Sequence, residues 1–451
     1  MWKFGLATLA LSALAGFSTV DAYRPGDEVC ELSDSNACGV DAIKTSAVDG
    51  SALIYPGGET RCAFDDSSVP SANFTSNATY FFQVFPNEKK DKKKLFLYFQ
   101  GGGACLDDKT CNYALQCSVA GGTFNVNAKA LSTGILNRTD PDNMFADWNI
   151  VHLPYCTGDL HIGNKVNGST ETGLEVVLGY KDCMKQNQSI HQVGYLNTMA
   201  VLKWTLANYP DPEHLIIGGS SAGALAAQIL SAYVADAWKV DERSIRYSVL
   251  ADSYVGVLPK EHSGGELVRY YGSCDVDLKA TPEVIAGCKS GKVTVTEMLQ
   301  AMLRKTPYSD WLFIDSKEDK TQRYFYQMFK DGIYAYPFPK LISGADFYSN
   351  MTTMIDAYKT VSSRISTFFI ESEQHVYLIY QGLFHNATST TGDNLGKFLN
   401  EWLLPHGNSS SGSQSDASGS ITAPKSAAVS HTSAAFVLVN SLVVLLAAFV
   451  L

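Results

Sequence analysis

One α/β domain, a mostly parallel sheet flanked by helices, is the fold this sequence predicts, and three observations predict it. Short apolar runs alternate with longer segments of helical spacing from about position 80 to position 402. One such run, Leu215-Ile216-Ile217, ends abruptly in Gly218-Gly219-Ser220-Ser221-Ala222-Gly223, and a helix-forming stretch follows to Trp238. With 451 residues, 45% hydrophobic and 18% charged, the chain is long enough for a large core.

Taken in order, Tyr80–Phe85 reads as a strand, Pro86–Lys94 as a charged turn and Leu95–Phe99 as a second strand, the two expected to pair as a β-hairpin. The turn's lysines keep it in water rather than dock an anionic polymer. Asn149–Leu153 reads as a further strand. Apolar residues at Val193, Leu196, Ala200, Val201 and Trp204 predict a helix over Ile190–Leu206. Three more strands are expected at Tyr247–Ala251, Trp311–Ile314 and Thr367–Ile370. The segment from Val255 to Ser309, with Cys274 and Cys288, is the expected cap insertion. Ligands of such sheets lie beyond the carboxyl ends of the strands, so the residues after each apolar run are the ones to search.

Both ends of the chain read as addresses. Residues 1–22 have a charged start, an apolar run and small residues at the end, which predicts a secretory signal peptide. Residues 23–405 form the expected main domain and 406–432 a Ser/Gly-rich linker. Residues 433–451 are almost wholly apolar, the pattern of a GPI-attachment signal, so the membrane enters only through a lipid anchor. The cysteines, at 30, 38, 62, 105, 111, 117, 156, 183, 274 and 288, are even in number and predict disulfides. None forms a C-x-x-C pair, which argues against zinc. Glycosylation sequons begin at Asn73, Asn77, Asn137, Asn167, Asn187, Asn350, Asn386 and Asn408. A net charge of −10 argues against nucleic acid as a partner.

The chemistry gathers after the strands. Gly219-Ser220-Ser221-Ala222-Gly223 fits the G-x-S-x-G nucleophile elbow, and the spacing of its glycines selects Ser221 over Ser220. Gln100-Gly101-Gly102-Gly103 follows an earlier strand, as an oxyanion-hole loop does. The N–H groups of Gly102 and Gly103, with that of Ala222, are the expected oxyanion donors. A histidine after the last strand, His375, is the candidate base, with His385 its rival, expected to face solvent. Position leaves the acid open among Asp315, Glu318, Asp319 and Asp252. The order Ser…Asp…His is that of α/β hydrolases, so the fold is expected to be α/β-hydrolase-like.

Five motifs together resemble the pectin acetylesterase family, which also contains Notum-type protein deacylases, over roughly Phe81 to Trp402. Phe99-Gln100-Gly101-Gly102-Gly103-Ala104-Cys105 with Cys111 is similar to that family's L-E-G-G-G-W-C…C. Tyr155-Cys156-Thr157-Gly158-Asp159, the elbow, Ala251-Asp252-Ser253 and Asp319-Lys320-Thr321-Gln322 are similar to Y-C-x-G/S-D, G-[ST]-S-A-G, D-S-G and D-x-x-Q. The resemblance implies Asp319 as the triad acid, His375 as the base and a structural or pocket role for Asp252. It implies an acyl-enzyme mechanism on Ser221 without cofactor or metal, acting on O-acetyl groups of a cell-wall polysaccharide. A lipid-protein deacylase and a catalytically silent surface-anchored binding protein are the other readings. Gln100 in place of Glu, Ala104 in place of Trp, Ala224 in place of a third Gly and the lack of a cysteine near His375 depart from the family pattern.

Overall fold

A computed structural model of the chain describes residues 26–69, 74–106, 110, 123–124, 132–167, 189–332, 338 and 340–404. The expected signal peptide, the linker and the apolar C-terminal segment lie outside these residues, as do Cys111, Cys117, Cys183, Asn73, Asn187 and Asn408.

The frame is a nine-stranded sheet. Its strands are β1 (Val29–Glu31), β2 (Ala52–Tyr55), β3 (Phe82–Phe85), β4 (Lys94–Phe99), β5 (Asn149–Leu153), β6 (His214–Ser220), β7 (Arg246–Asp252), β8 (Asp310–Ser316) and β9 (Ile365–Ile370), in the spatial order β1-β2-β3-β5-β4-β6-β7-β8-β9. Only β3 runs against its neighbours β2 and β5; the other pairs are parallel. β5, β6 and β8 are buried along their whole length. Such strands need cover on both faces, which explains why they read as unbroken apolar runs rather than alternating ones.

Helices supply the cover. α1 (Gly194–Asn208) packs on β5, and α2 (Ala222–Ala237) on β6 and β7. After β7 come α3 (Gly265–Tyr270), α4 (Pro282–Lys289) and α5 (Val295–Lys305). A disulfide, Cys274–Cys288, ties this segment. α5 opens with a reciprocal cap between Thr294 and Glu297. It packs on α2 and on α7 (Gly344–Lys359), so this part of the expected cap belongs to the helical layer. α6 (Lys320–Asp331) follows β8. The result is a large mixed, mostly parallel sheet between helices, an α/β-hydrolase-like fold.

Two expectations are corrected. The hairpin of Tyr80–Phe85 with Leu95–Phe99 does not form, because β5 inserts between β3 and β4, antiparallel to the first and parallel to the second. Strands lie about 4.8 Å apart, so the connection 86–93 easily steps over one. Three lysines here are paired with acids of three other segments: Lys92 with Asp41 at 2.8 Å, Lys93 with Glu213 at 2.8 Å and Lys94, the first residue of β4, with Asp147 at 2.7 Å. The helix expected over Ile190–Leu206 starts only at Gly194; Ile190–Gln192 instead pairs antiparallel with Lys165–Asn167.

Disulfides also join Cys30 to Cys38 and Cys62 to Cys156. Cys105 is disulfide-bonded as well. Among the described residues no cysteine is free, and no helix is long and apolar enough to cross a membrane. By compactness the chain divides into residues 1–398 and 399–451; of the second unit residues 399–404 are described.

Candidate active site

β6 ends at Ser220 and α2 begins at Ala222, which leaves Ser221 alone at the turn with φ 55° and ψ −122°. A side chain rarely tolerates that backbone, and such strain collects at functional positions. The flanking glycines are required by space: a Cβ at Gly219 or Gly223 would run into the Phe99 carbonyl oxygen at the end of β4. The two serines differ in what surrounds them. Ser220 is 2% exposed, and its hydroxyl donates to Asp252 Oδ2 at 2.7 Å and lies 2.6 Å from the Tyr98 hydroxyl. Ser221 is half-buried at the head of a helix, where developing negative charge is favoured.

The glycine loop lies directly against this turn, since a Cβ on Gly101 would sit 2.8 Å from the Ser221 Cβ. Gly103 holds φ 82°, a conformation that favours glycine. The loop after β5 fixes it from behind. The Tyr155 hydroxyl donates to Gly103 O at 3.0 Å and accepts from Leu160 N–H at 2.8 Å. Tyr155 N–H donates to Gln100 Oε1 at 3.2 Å, and Cys105 N–H to Gly158 O at 2.7 Å. His161 Nε2 donates to Gln100 O at 2.8 Å. Burial pushes the His161 pKa down to about 4, against the opposing effect of that carbonyl, so the ring is neutral. Among the described residues, the N–H groups of Gly102, Gly103 and Ala222 make no hydrogen bond within the protein.

Asp319 and His375 meet. Asp319, fully buried, caps the N-terminus of α6, with Gln322 N–H donating to its Oδ1 at 2.9 Å. Its Oδ2 accepts from His375 Nδ1 at 2.7 Å, and the His375 side chain is 17% exposed. Burial works against a charged ring, yet the Asp319 charge and hydrogen bond, with a smaller share from Asp252, raise the His375 pKa above its ordinary value. The loop bearing His375 is fastened beside the elbow. Val376 N–H donates to Ser253 Oγ at 2.9 Å, and Tyr377 and Leu378 N–H donate to the Asp252 carboxylate at 3.0 and 2.9 Å. The Asp252 carbonyl in turn accepts from Ser221 N–H at 2.8 Å. On its other side Ile135 N–H reaches Leu378 O at 2.9 Å.

Residues 75–273 match the pectinacetylesterase family model. A palmitoleoyl-protein carboxylesterase Notum from Schmidtea mediterranea is 28% identical over 149 residues, 31% of this chain. The match spans only 26% of that relative's length. A solved structure of the Wnt deacylase Notum from Drosophila superposes with a TM-score of 0.49 at 16% identity, covering 76% of this chain and 92% of that one. The pectinacetylesterase match takes in Gly102, Gly103, Ser221, Ala222 and Asp252. It ends before Asp319 and His375, whose meeting is seen in the coordinates.

Of the four candidate acids, only Asp319 bonds His375. Asp252 is a clamp: fully buried, it accepts from Ser220, Ser253, Tyr377 and Leu378, and burial raises its pKa against those hydrogen bonds. Asp315 is fully buried behind Asp319, and Glu318 is exposed. His385 does not face solvent as expected. Its side chain is 16% exposed, 3.8 Å from Asp140, and its ring packs on Phe384. Sequence reasoning missed the parts of Tyr155 and His161, because the hydroxyl and the ring act on the backbone carbonyls of Gly103 and Gln100 in another loop. Among the described residues no group of three or more His, Cys, Asp or Glu could hold a metal ion.

Proposed function

We propose that the protein is a serine hydrolase of carboxylic esters, with Ser221, His375 and Asp319 as its triad. The single observation that carries this reading is the Asp319-bonded His375 on a loop fastened to Asp252, the residue whose carbonyl holds Ser221 N–H. With Nδ1–H given to Asp319, His375 Nε2 keeps its lone pair for a proton. Ser221 Oγ attacks the acyl carbon while Nε2 takes its proton. The oxyanion collects hydrogen bonds from Gly102, Gly103 and Ala222 N–H. The alcohol leaves with the proton from Nε2, and water, activated by the same nitrogen, releases the acid from the acyl-enzyme.

The substrate class follows the pectinacetylesterase match: O-acetyl groups on a polysaccharide. The relative named as a palmitoleoyl-protein carboxylesterase favours a second reading, removal of a long acyl chain from a protein. Short and long acyl esters of one alcohol separate the two, since a strong preference for long chains overturns the acetyl reading. The disulfides and the N-terminal segment support secretion, and the C-terminal segment supports a GPI anchor. Labelling with a serine-reactive phosphonate tests the whole. The tag is expected on the Ser221 peptide, and an untagged Ser221 in a protein that still hydrolyses esters removes the triad.

A further inference from the structure

Behind the Asp319–His375 pair lies a second buried acid that the reaction above does not use. Asp315 lies near the end of β8, and both it and Asp319 are fully buried. Gln322, in the first turn of α6, stands between them. Its Nε2 lies 2.8 and 2.9 Å from the two Asp315 oxygens and 3.0 Å from Asp319 Oδ2. An amide nitrogen has two hydrogens. One is directed to Asp315, and the other to the Asp319 oxygen that also takes Nδ1–H of His375.

We propose that Gln322 and Asp315 are positioning residues for His375: the Gln322 amide pins the Asp319 carboxylate in the orientation that holds the ring, and Asp315 pins the amide. The inference rests on the triad reading. Gln322 bonds both Asp319 oxygens, Oδ1 through its backbone N–H at 2.9 Å and Oδ2 through its side chain, so the carboxylate has no second orientation to exchange into. Two buried carboxyls joined through one amide do not both ionise. Asp315 is the one that keeps its proton. Burial raises its pKa first, and the charge of Asp319 adds to this against the Gln322 hydrogen bond. The titratable groups facing it are Asp319 on its own connection, Asp252 on β7 and Tyr377 on the loop after β9, with His375 beyond Asp319. A neutral Asp315 matters for the chemistry. A second negative charge here would hold His375 protonated and remove the base at neutral pH.

The test uses the purified full chain and two readouts: the pH profile of kcat/KM on p-nitrophenyl acetate, and the titration of the His375 ring by NMR, which needs no turnover. Gln322→Met removes the donor without changing side-chain length. It is expected to lower kcat about tenfold, the rate equivalent of one hydrogen bond, with little change in KM. It should also move the acid limb and the ring titration upward, because a carboxylate that loses a donor binds an imidazolium more strongly. Gln322→Leu replaces it if that protein does not fold. Asp315→Asn, neutral by construction, should leave the acid limb within about 0.3 pH units of the parent. A wild-type kcat and limb in Gln322→Met overturns the proposal. So does a downward shift in Asp315→Asn, which would reveal an ionised Asp315. Failure of the triad reading looks different: Ser221→Ala stays active, while the ring titration still answers for Gln322.

Discussion

Ser220 and Ser221 are chemically the same side chain one position apart, and the tertiary surroundings make them opposites. Ser220 is bonded to Asp252 and Tyr98, whereas Ser221 stands half-buried on a strained backbone at the head of α2. Ser221→Ala is expected to lower kcat/KM for a soluble ester by roughly 10⁴-fold or more, and Ser220→Ala far less, as measured by initial rates. Asp319→Asn is expected to lower kcat by roughly 10⁴-fold, since the amide offers His375 Nδ1 a donor and selects the wrong tautomer. The pH dependence of the proposed triad has a definite sign. With His375 as its base, the protonated ring takes no proton from serine, so activity is expected to fall as pH drops through its pKa. Asp319 holds that pKa above the ordinary 6.5, and the midpoint of the acid limb in kcat/KM should lie above that value. A midpoint below 6.5 would mean that Asp319 does not face His375 in the working protein.

Between elements, the site depends on how tightly β4, β6 and α2 approach. Gly219→Ala or Gly223→Ala drives a methyl group into the Phe99 carbonyl, backbone that cannot turn aside. Each should destabilise the domain by roughly 3 kcal/mol, read as a lowered midpoint in urea unfolding. The loop after β9 depends on Asp252 in the same way. Asp252→Ala leaves the N–H groups of Tyr377 and Leu378 without their acceptor and lets His375 drift. The expected result is a fall of about 10²-fold in kcat from misplacement alone, in a protein that still binds substrate. A wild-type kcat in that variant would show that the loop holds its place without the clamp. The failed hairpin belongs to the same level. Tyr80–Phe85 and Leu95–Phe99 were legible as strands because their apolar runs are local. Their pairing was not, because β5 comes from 50 residues further along and its claim on both edges appears nowhere in the turn.

Across the whole molecule, disulfides bind the early loops to the sheet region. Cys62–Cys156 closes a separation of 94 residues, and Cys30–Cys38 one of 8. On chain entropy the long closure contributes about 2 kcal/mol more than the short one. Replacing Cys62 and Cys156 together by serine should therefore lower Tm clearly more than replacing Cys30 and Cys38, as read by calorimetry. Equal shifts would show that local strain, not loop closure, governs both.

The sequence alone was enough for the strand–turn–helix at Ser221, the glycine loop before it and the histidine after the last strand. Each is a local pattern in which small residues follow an apolar run. It was enough also for the parallel sheet, because strands buried on both faces lose their alternation. Residues alone left four acids open, and only the family resemblance chose Asp319 among them. What the coordinates add is a contact no spacing encodes, 2.7 Å between the Asp319 and His375 side chains, 56 positions apart. The clamp of Asp252 on the histidine loop and the amide of Gln322 between two buried acids needed the folded chain. A hydrogen bond between distant residues depends on where the backbone carries both ends, and that is settled by packing of the whole sheet and its helices.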